Sequence, residues 1–142
     1  MIVLDTSVVL AFMDRRDDDH ELVRGWMDDV EDELYTTPLV LAELDHLVFR
    51  QGGSKATKAL REDFKRGAYL VEWWPSALHE TIAAAQRYES MDLGLADASL
   101  IALAAHLKTT TIATLDERHF RAVQPLTSRA SAFTILPPDA AA

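Results

Sequence analysis

Short runs rich in β-branched and aromatic residues alternate with longer segments of helical periodicity along the whole chain, and this alternation leaves few folds open. Ile2-Val3-Leu4, Leu34 to Thr37, Tyr69 to Trp74, Thr111 to Leu115 and Phe133 to Leu136 read as strands. Asp5-Thr6-Ser7 offers three capping side chains, so Val8 to Phe12 should open a helix straight after the first strand. From Asp17 to Leu34, Leu22, Val23, Trp26, Met27, Val30 and Leu34 recur at helical spacing, with acids filling the opposite face. Pro38 suits the first turn of a helix reaching about Gln51, where Gly52-Gly53 breaks it, and Ser54 can cap a basic helix to about Arg66. Pro75-Ser76 starts a helix to about Ser90, and Leu95 to Leu107 is an alanine-rich helix. Strands separated by helices pair in parallel and carry helices on both faces, so the expected class is α/β.

At 142 residues and 49% hydrophobic, the chain suits one domain over 1–142, with the tail 137–142 expected to fray. Zero cysteines exclude thiolate metal sites and disulfides. The first residues form a strand pattern rather than a basic and then apolar leader, which points to a cytoplasmic protein. Leu93 to Leu107, interrupted by Asp97, is too short for a bilayer, so no membrane role is expected. The formal charge of −9 argues at first against a polyanionic partner. Its distribution reverses that inference: Asp14 to Glu33 holds ten acids against three arginines, whereas Arg50 to Arg66 holds six bases against two acids. A local basic surface is therefore compatible with an acidic chain.

Four separated acids then stand out, each where an apolar segment meets a turn or a helix. Asp5 ends the first strand, Asp116 follows Thr111 to Leu115, and Glu43 and Asp97 interrupt apolar helical patterns. Each has a bland explanation: Asp5 and Asp116 could cap the next helix, and Asp97 could complement a helix dipole. Glu43, within Leu39-Val40-Leu41-Ala42-Glu43-Leu44, resists that treatment, because a carboxylate there risks partial burial. One shared site explains all four together. Carboxylates gathered without cysteine or paired histidine need a cation, and select hard ions such as Mg²⁺ or Mn²⁺ over zinc.

Other phosphate chemistries fail on the same residues. A haloacid-dehalogenase nucleophile needs a second Asp where Ser7 stands, an integrin-type site needs Ser where Val9 stands, and a receiver domain needs paired acids after its first strand. Neither a glycine-rich phosphate loop before a helix nor a Gly-x-Ser-x-Gly elbow occurs. Val3-Leu4-Asp5-Thr6-Ser7, Leu41-Ala42-Glu43-Leu44, Leu93 to Leu100 and Ile112-Ala113-Thr114-Leu115-Asp116 with Phe120 appear in an order that resembles the PIN-domain ribonucleases, specifically the VapC toxins of type II toxin–antitoxin pairs.

The resemblance implies a three-layer sandwich around a mostly parallel sheet, and an endoribonuclease that cleaves a structured RNA by metal-activated water. Asp5, Glu43, Asp97 and Asp116 would be both catalytic and metal-binding, with Ser7, Thr6 and Thr114 supporting them and Asp92 a peripheral candidate. It also implies a homodimer and a VapB-type antitoxin covering the acids. Lys55, Lys58, Arg61 and Lys65 are candidate RNA-backbone contacts. His20, His46, His79, His106 and His119 show no paired metal spacing and read as surface or packing residues. Two other readings stay open: a noncatalytic interaction domain with an acidic surface, and a PIN nuclease in RNA processing outside toxin–antitoxin systems.

Overall fold

A computed structural model describes residues 1–126 and 129–141. Among these residues five strands form one sheet: β1 (Ile2–Leu4), β2 (Leu34–Thr36), β3 (Leu70–Val71), β4 (Thr111–Ala113) and β5 (Thr134–Leu136). Their order is β3-β2-β1-β4-β5 and every pairing is parallel. Among the described residues six α-helices connect or flank them: α1 (Thr6–Met13), α2 (His20–Asp29), α3 (Pro38–Lys65), α4 (Ala77–Arg87), α5 (Leu95–Leu107) and the single turn α6 (Glu117–Phe120). Side chains alternate across the strands, and the core is split accordingly. Ile2, Leu4 and Ala113 pack with α1, α2 and α3, while Val3, Ile112 and Ile135 pack with α4, α5 and Phe120. Helices thus cover both faces, the α/β sandwich that the alternation demanded.

Helix α5 is central. Every residue from Ala98 to Ala104 is buried, so the helix has no solvent face along that stretch, and its alanines let the sheet and α4 approach closely. None of the helices among the described residues is long and apolar enough to cross a membrane.

Element lengths differ from the sequence reading where apolar residues are used for something other than strand pairing. The strand expected over Tyr69 to Trp74 is only Leu70–Val71. Trp74 instead turns inward and stacks on His106, with ring centroids 4.2 Å apart and planes at 2°. The helix expected from Asp17 to Leu34 covers only His20–Asp29, because Leu34 is drawn into β2. Gly52-Gly53 bends α3 without inserting a loop: Gly53 alone leaves helical geometry, at φ 72° and ψ −166°. Arg61 of the second arm reaches back to Asp45 of the first with two hydrogen bonds, at 2.7 and 2.9 Å, bracing the bend. Within the tail 137–142 that was expected to fray, Pro138–Ala141 forms a 3₁₀ turn and Asp139 accepts from the Ile135 N–H and from Arg121, while Ala142 lies outside the described residues.

The strand order has one functional consequence. From β1 the chain runs outward through β2 to β3, then returns to the other side of β1 for β4 and β5. The order therefore reverses between β1 and β4, and the crevice beyond the carboxyl ends of those two strands is where sheets of this type place ligands.

Candidate metal-binding acidic site

Asp5 leaves β1 directly at that crevice and caps α1. Its carboxylate is buried, yet it is fully engaged: Oδ1 accepts from the Thr6 N–H at 2.8 Å, and Oδ2 accepts from the Ser7 hydroxyl at 2.9 Å and the Thr114 hydroxyl at 2.7 Å. The two hydroxyls also tie the neighbouring turn in place. Ser7 Oγ accepts from the Leu115 N–H at 2.9 Å, and Thr114 Oγ1 accepts from the Asp116 N–H at 3.0 Å. The turn after β1 and the turn after β4 are thus joined through one carboxylate. Burial, more than the adjacent Glu43 charge, pushes the Asp5 carboxyl above the ordinary carboxylate range, and the three hydrogen bonds oppose that shift.

Glu43 is exposed, contrary to the expectation of partial burial. Val40, Leu44 and Val48 carry the buried stripe of this arm of α3, and Glu43 lies about 100° round the helix from Leu44. Its Oε1 nevertheless turns toward the crevice and accepts from the Thr6 hydroxyl at 2.9 Å. Thr6 therefore joins Glu43 to the same turn that holds Asp5.

Asp97 sits in the first turn of α5, half-buried. Its carboxyl is raised to about 6, first by desolvation and then by the negative charges of Asp5 and Asp116, with Glu43 adding in the same direction and His119 opposing. The Asp97 carboxyl therefore feels the charge of each of the other three acids expected from the sequence. Asp116 caps α6, its Oδ1 accepting from the His119 N–H at 3.3 Å, which leaves Oδ2 directed at the His119 ring.

His119 was read from the sequence as a surface or packing residue, and the structure places it elsewhere. Its Nδ1 is 3.0 Å from Asp116 Oδ2 and 3.5 Å from Asp97 Oδ2, and the three residues can offer one donor atom each within 4.8 Å of one another. That nitrogen is buried, and at neither carboxylate do the angles make a hydrogen bond. The only sequence signal was its position three residues after Asp116, which is also how an ordinary capped turn looks.

The remaining candidates are all exposed. Asp92 is exposed in the left-handed conformation, φ 51°, closing a short 3₁₀ turn (Glu89–Met91). Lys55, Lys58, Arg61 and Lys65 are exposed on the second arm of α3, where Arg61 is committed to Asp45.

Residues 2–125 match the PIN domain. The chain belongs to the PIN-domain family. It is 34% identical over 137 residues, 96% of its length, to Ribonuclease VapC26 of Mycobacterium tuberculosis, which is covered completely. Among solved structures it resembles VapC20 of M. tuberculosis, a Sarcin-Ricin loop cleaving toxin, with TM-score 0.73 and 19% identity over 79% of this chain and 87% of that one. It also resembles VapBC2 of Rickettsia felis bound to a DNA fragment from its promoter, with TM-score 0.66 and 16% identity over 89% and 96% of the two chains. At these identities the structural likenesses speak to the fold.

The donor set suits a hard divalent cation. Four carboxylates, of which Asp5 and Asp97 are raised above the ordinary range first by burial, no thiolate, and a crevice open enough to leave Glu43 and part of Asp97 and Asp116 accessible are what such an ion requires.

Proposed function

We propose that this protein is a Mg²⁺- or Mn²⁺-dependent endoribonuclease that acts as the toxin of a VapBC-type toxin–antitoxin pair in the cytoplasm, cleaving a structured RNA. The observation that carries this reading is the convergence of Asp5, Glu43, Asp97 and Asp116 at the switch point of the sheet, expressed in the raised Asp97 carboxyl. The identity to Ribonuclease VapC26 over nearly the whole chain supports the choice of RNA as substrate.

In this reading Asp5, Glu43, Asp97 and Asp116 hold the cation. When bound, it neutralises charge on the scissile phosphodiester and makes water a better nucleophile. The protein's own contribution is positional. Ser7 and Thr114 fix the Asp5 carboxylate, Thr6 fixes Glu43, and the short α6 turn fixes Asp116, so the charges are in place before substrate arrives. The negative charge gathered around Asp97 is only partly offset within the protein, which also makes the crevice a receptor for a guanidinium from a VapB-type antitoxin. We further infer a homodimer, as the family resemblance implies, and a contribution from Lys55, Lys58 and Lys65 to holding the RNA backbone.

The test is cleavage-site mapping on total RNA with Mg²⁺ or Mn²⁺, comparing the wild type, freed of any partner, with Asp97→Asn. Cuts at a defined RNA site by the wild type alone are expected. Equal cutting by both proteins would remove the acidic cluster from the reaction, and no cutting by the folded wild type would favour a noncatalytic interaction domain.

A further inference from the structure

We propose that His119 is a ligand of the catalytic cation, giving the site one nitrogen among its carboxylate oxygens and a preference for Mn²⁺ over Mg²⁺. This rests on the metal-dependent reading above and specifies it. Donor atoms that occupy adjacent positions around a six-coordinate ion with bonds of about 2.1 Å lie about 3 Å apart. The distances from His119 Nδ1 to Asp116 Oδ2 and Asp97 Oδ2, 3.0 and 3.5 Å, fall close to that spacing. Hydrogen bonding does not account for the approach, since among the described residues the buried Nδ1 makes no hydrogen bond despite facing two carboxylates. The three residues each offer one donor atom, and these atoms lie within 4.8 Å of one another, close enough to share one ion.

The local fold delivers this arrangement. Asp116 spends Oδ1 on the His119 backbone N–H, which holds the ring on the same side of the turn as Oδ2. Phe120, fully buried beside α5, anchors the following residue and fixes the α6 turn against the helix that carries Asp97. Imidazole nitrogen binds Mn²⁺ better than Mg²⁺, which strongly favours oxygen, so its presence discriminates between two ions that an all-carboxylate site holds more evenly.

The experiment combines metal titration by calorimetry with pulsed electron paramagnetic resonance of the Mn²⁺-loaded protein. The wild type is expected to show ¹⁴N modulation from a directly bound imidazole, and His119→Gln to lose it. The same substitution should weaken Mn²⁺ binding roughly tenfold or more while changing Mg²⁺ binding much less. Bound Mn²⁺ without ¹⁴N modulation in the wild type would overturn the proposal, and that result does not depend on how the variant folds. Equal weakening of both ions in a folded His119→Gln would also overturn it. Asp97→Asn separates this inference from the reading beneath it. Loss of both ions in that variant, with no ¹⁴N signal in the wild type, leaves the acidic metal site standing and removes only His119.

Discussion

Asp5 and Asp97 carry the same side chain into the same crevice, but the protein supports them in opposite ways. Asp5 is more deeply buried and has three hydrogen-bond donors, so much of the cost of its burial is offset inside the fold. Asp97 is less buried, yet among the described residues no side-chain hydrogen bond steadies its carboxylate, and apart from His119 the charges acting on it are negative. The difference divides the site into a prebuilt half and a half that is stabilised only when a cation arrives. It also predicts which acid the folded protein would do better without.

The largest expected effect is that of Asp97→Asn. It should reduce RNA cleavage by about a thousandfold, or about 4 kcal/mol of barrier, if the cation is lost from the reacting phosphate. The metal-free protein should at the same time become more stable at neutral pH, by on the order of 2 kcal/mol once partial exposure is allowed for. The sign follows from the raised carboxyl. Because Asp97 titrates at about 6 in the folded protein against an ordinary 3.8, its contribution is fully present below the lower value and is lost as pH rises through the upper one. Thermal unfolding in chelator should therefore show the wild type losing stability relative to Asp97→Asn between about pH 4 and 6.5. A constant difference across that range would mean that the charge on Asp97 is already compensated, and the proposed division would fail. Addition of Mn²⁺ should restore the wild type and leave Asp97→Asn unchanged.

Thr114→Val tests the prebuilt half. The substitution keeps the shape of a fully buried residue but removes a donor to Asp5 and the acceptor of the Asp116 N–H. A loss of about 2 kcal/mol in denaturant stability is expected, with or without metal. Destabilisation that disappears on adding Mn²⁺ would show that Asp5 too depends on the cation.

A third substitution lies outside the site and sharpens the contrast. Gly53 adopts φ 72° and ψ −166°, a conformation nearly confined to glycine, where the two arms of α3 meet. Gly53→Ala should cost about 1–2 kcal/mol of stability, and cleavage measured below the transition should stay within about twofold of wild type. A much larger loss of activity would tie the bend to the position of Glu43.

What could be read from the sequence follows the same line between local and long-range causes. Asp5 at the end of β1 and the capping of the next helix by Asp5 and Asp116 were legible, because a short apolar run followed by capping residues encodes that junction within a few residues, although β4 ends at Ala113 rather than at Leu115. Gly52-Gly53 likewise announced a change of direction. Glu43 was misjudged as partly buried, because an apolar helical segment does not reveal which stripe meets the sheet; Val40, Leu44 and Val48 do so, and Leu41 and Ala42 do not. The length of β3 was overestimated for a related reason, as Trp74 spends its apolar surface on His106 rather than on a neighbouring strand. His119 was missed entirely. Its significance depends on Asp97, a partner on another helix, and no spacing along the chain expresses that contact.

The smallest expected effect belongs to the basic arm of α3, where the sequence suggested contact with RNA and the structure shows two kinds of base. Arg61 is held in two hydrogen bonds to Asp45, so its removal would weaken the bend as well as any RNA contact. Lys55 and Lys58 have no such attachment among the described residues and are exposed, which makes the pair a cleaner test. Lys55→Ala with Lys58→Ala should leave unfolding within about 0.5 kcal/mol of wild type, as exposed substitutions usually do. KM for RNA should rise a few-fold at low salt with kcat unchanged, and the salt dependence of KM should flatten, because fewer counterions are released on binding. A fall in kcat with KM unchanged would place these lysines in the reaction itself, extending the site beyond the carboxylates. No change in either constant would instead confine substrate recognition to surfaces other than this arm.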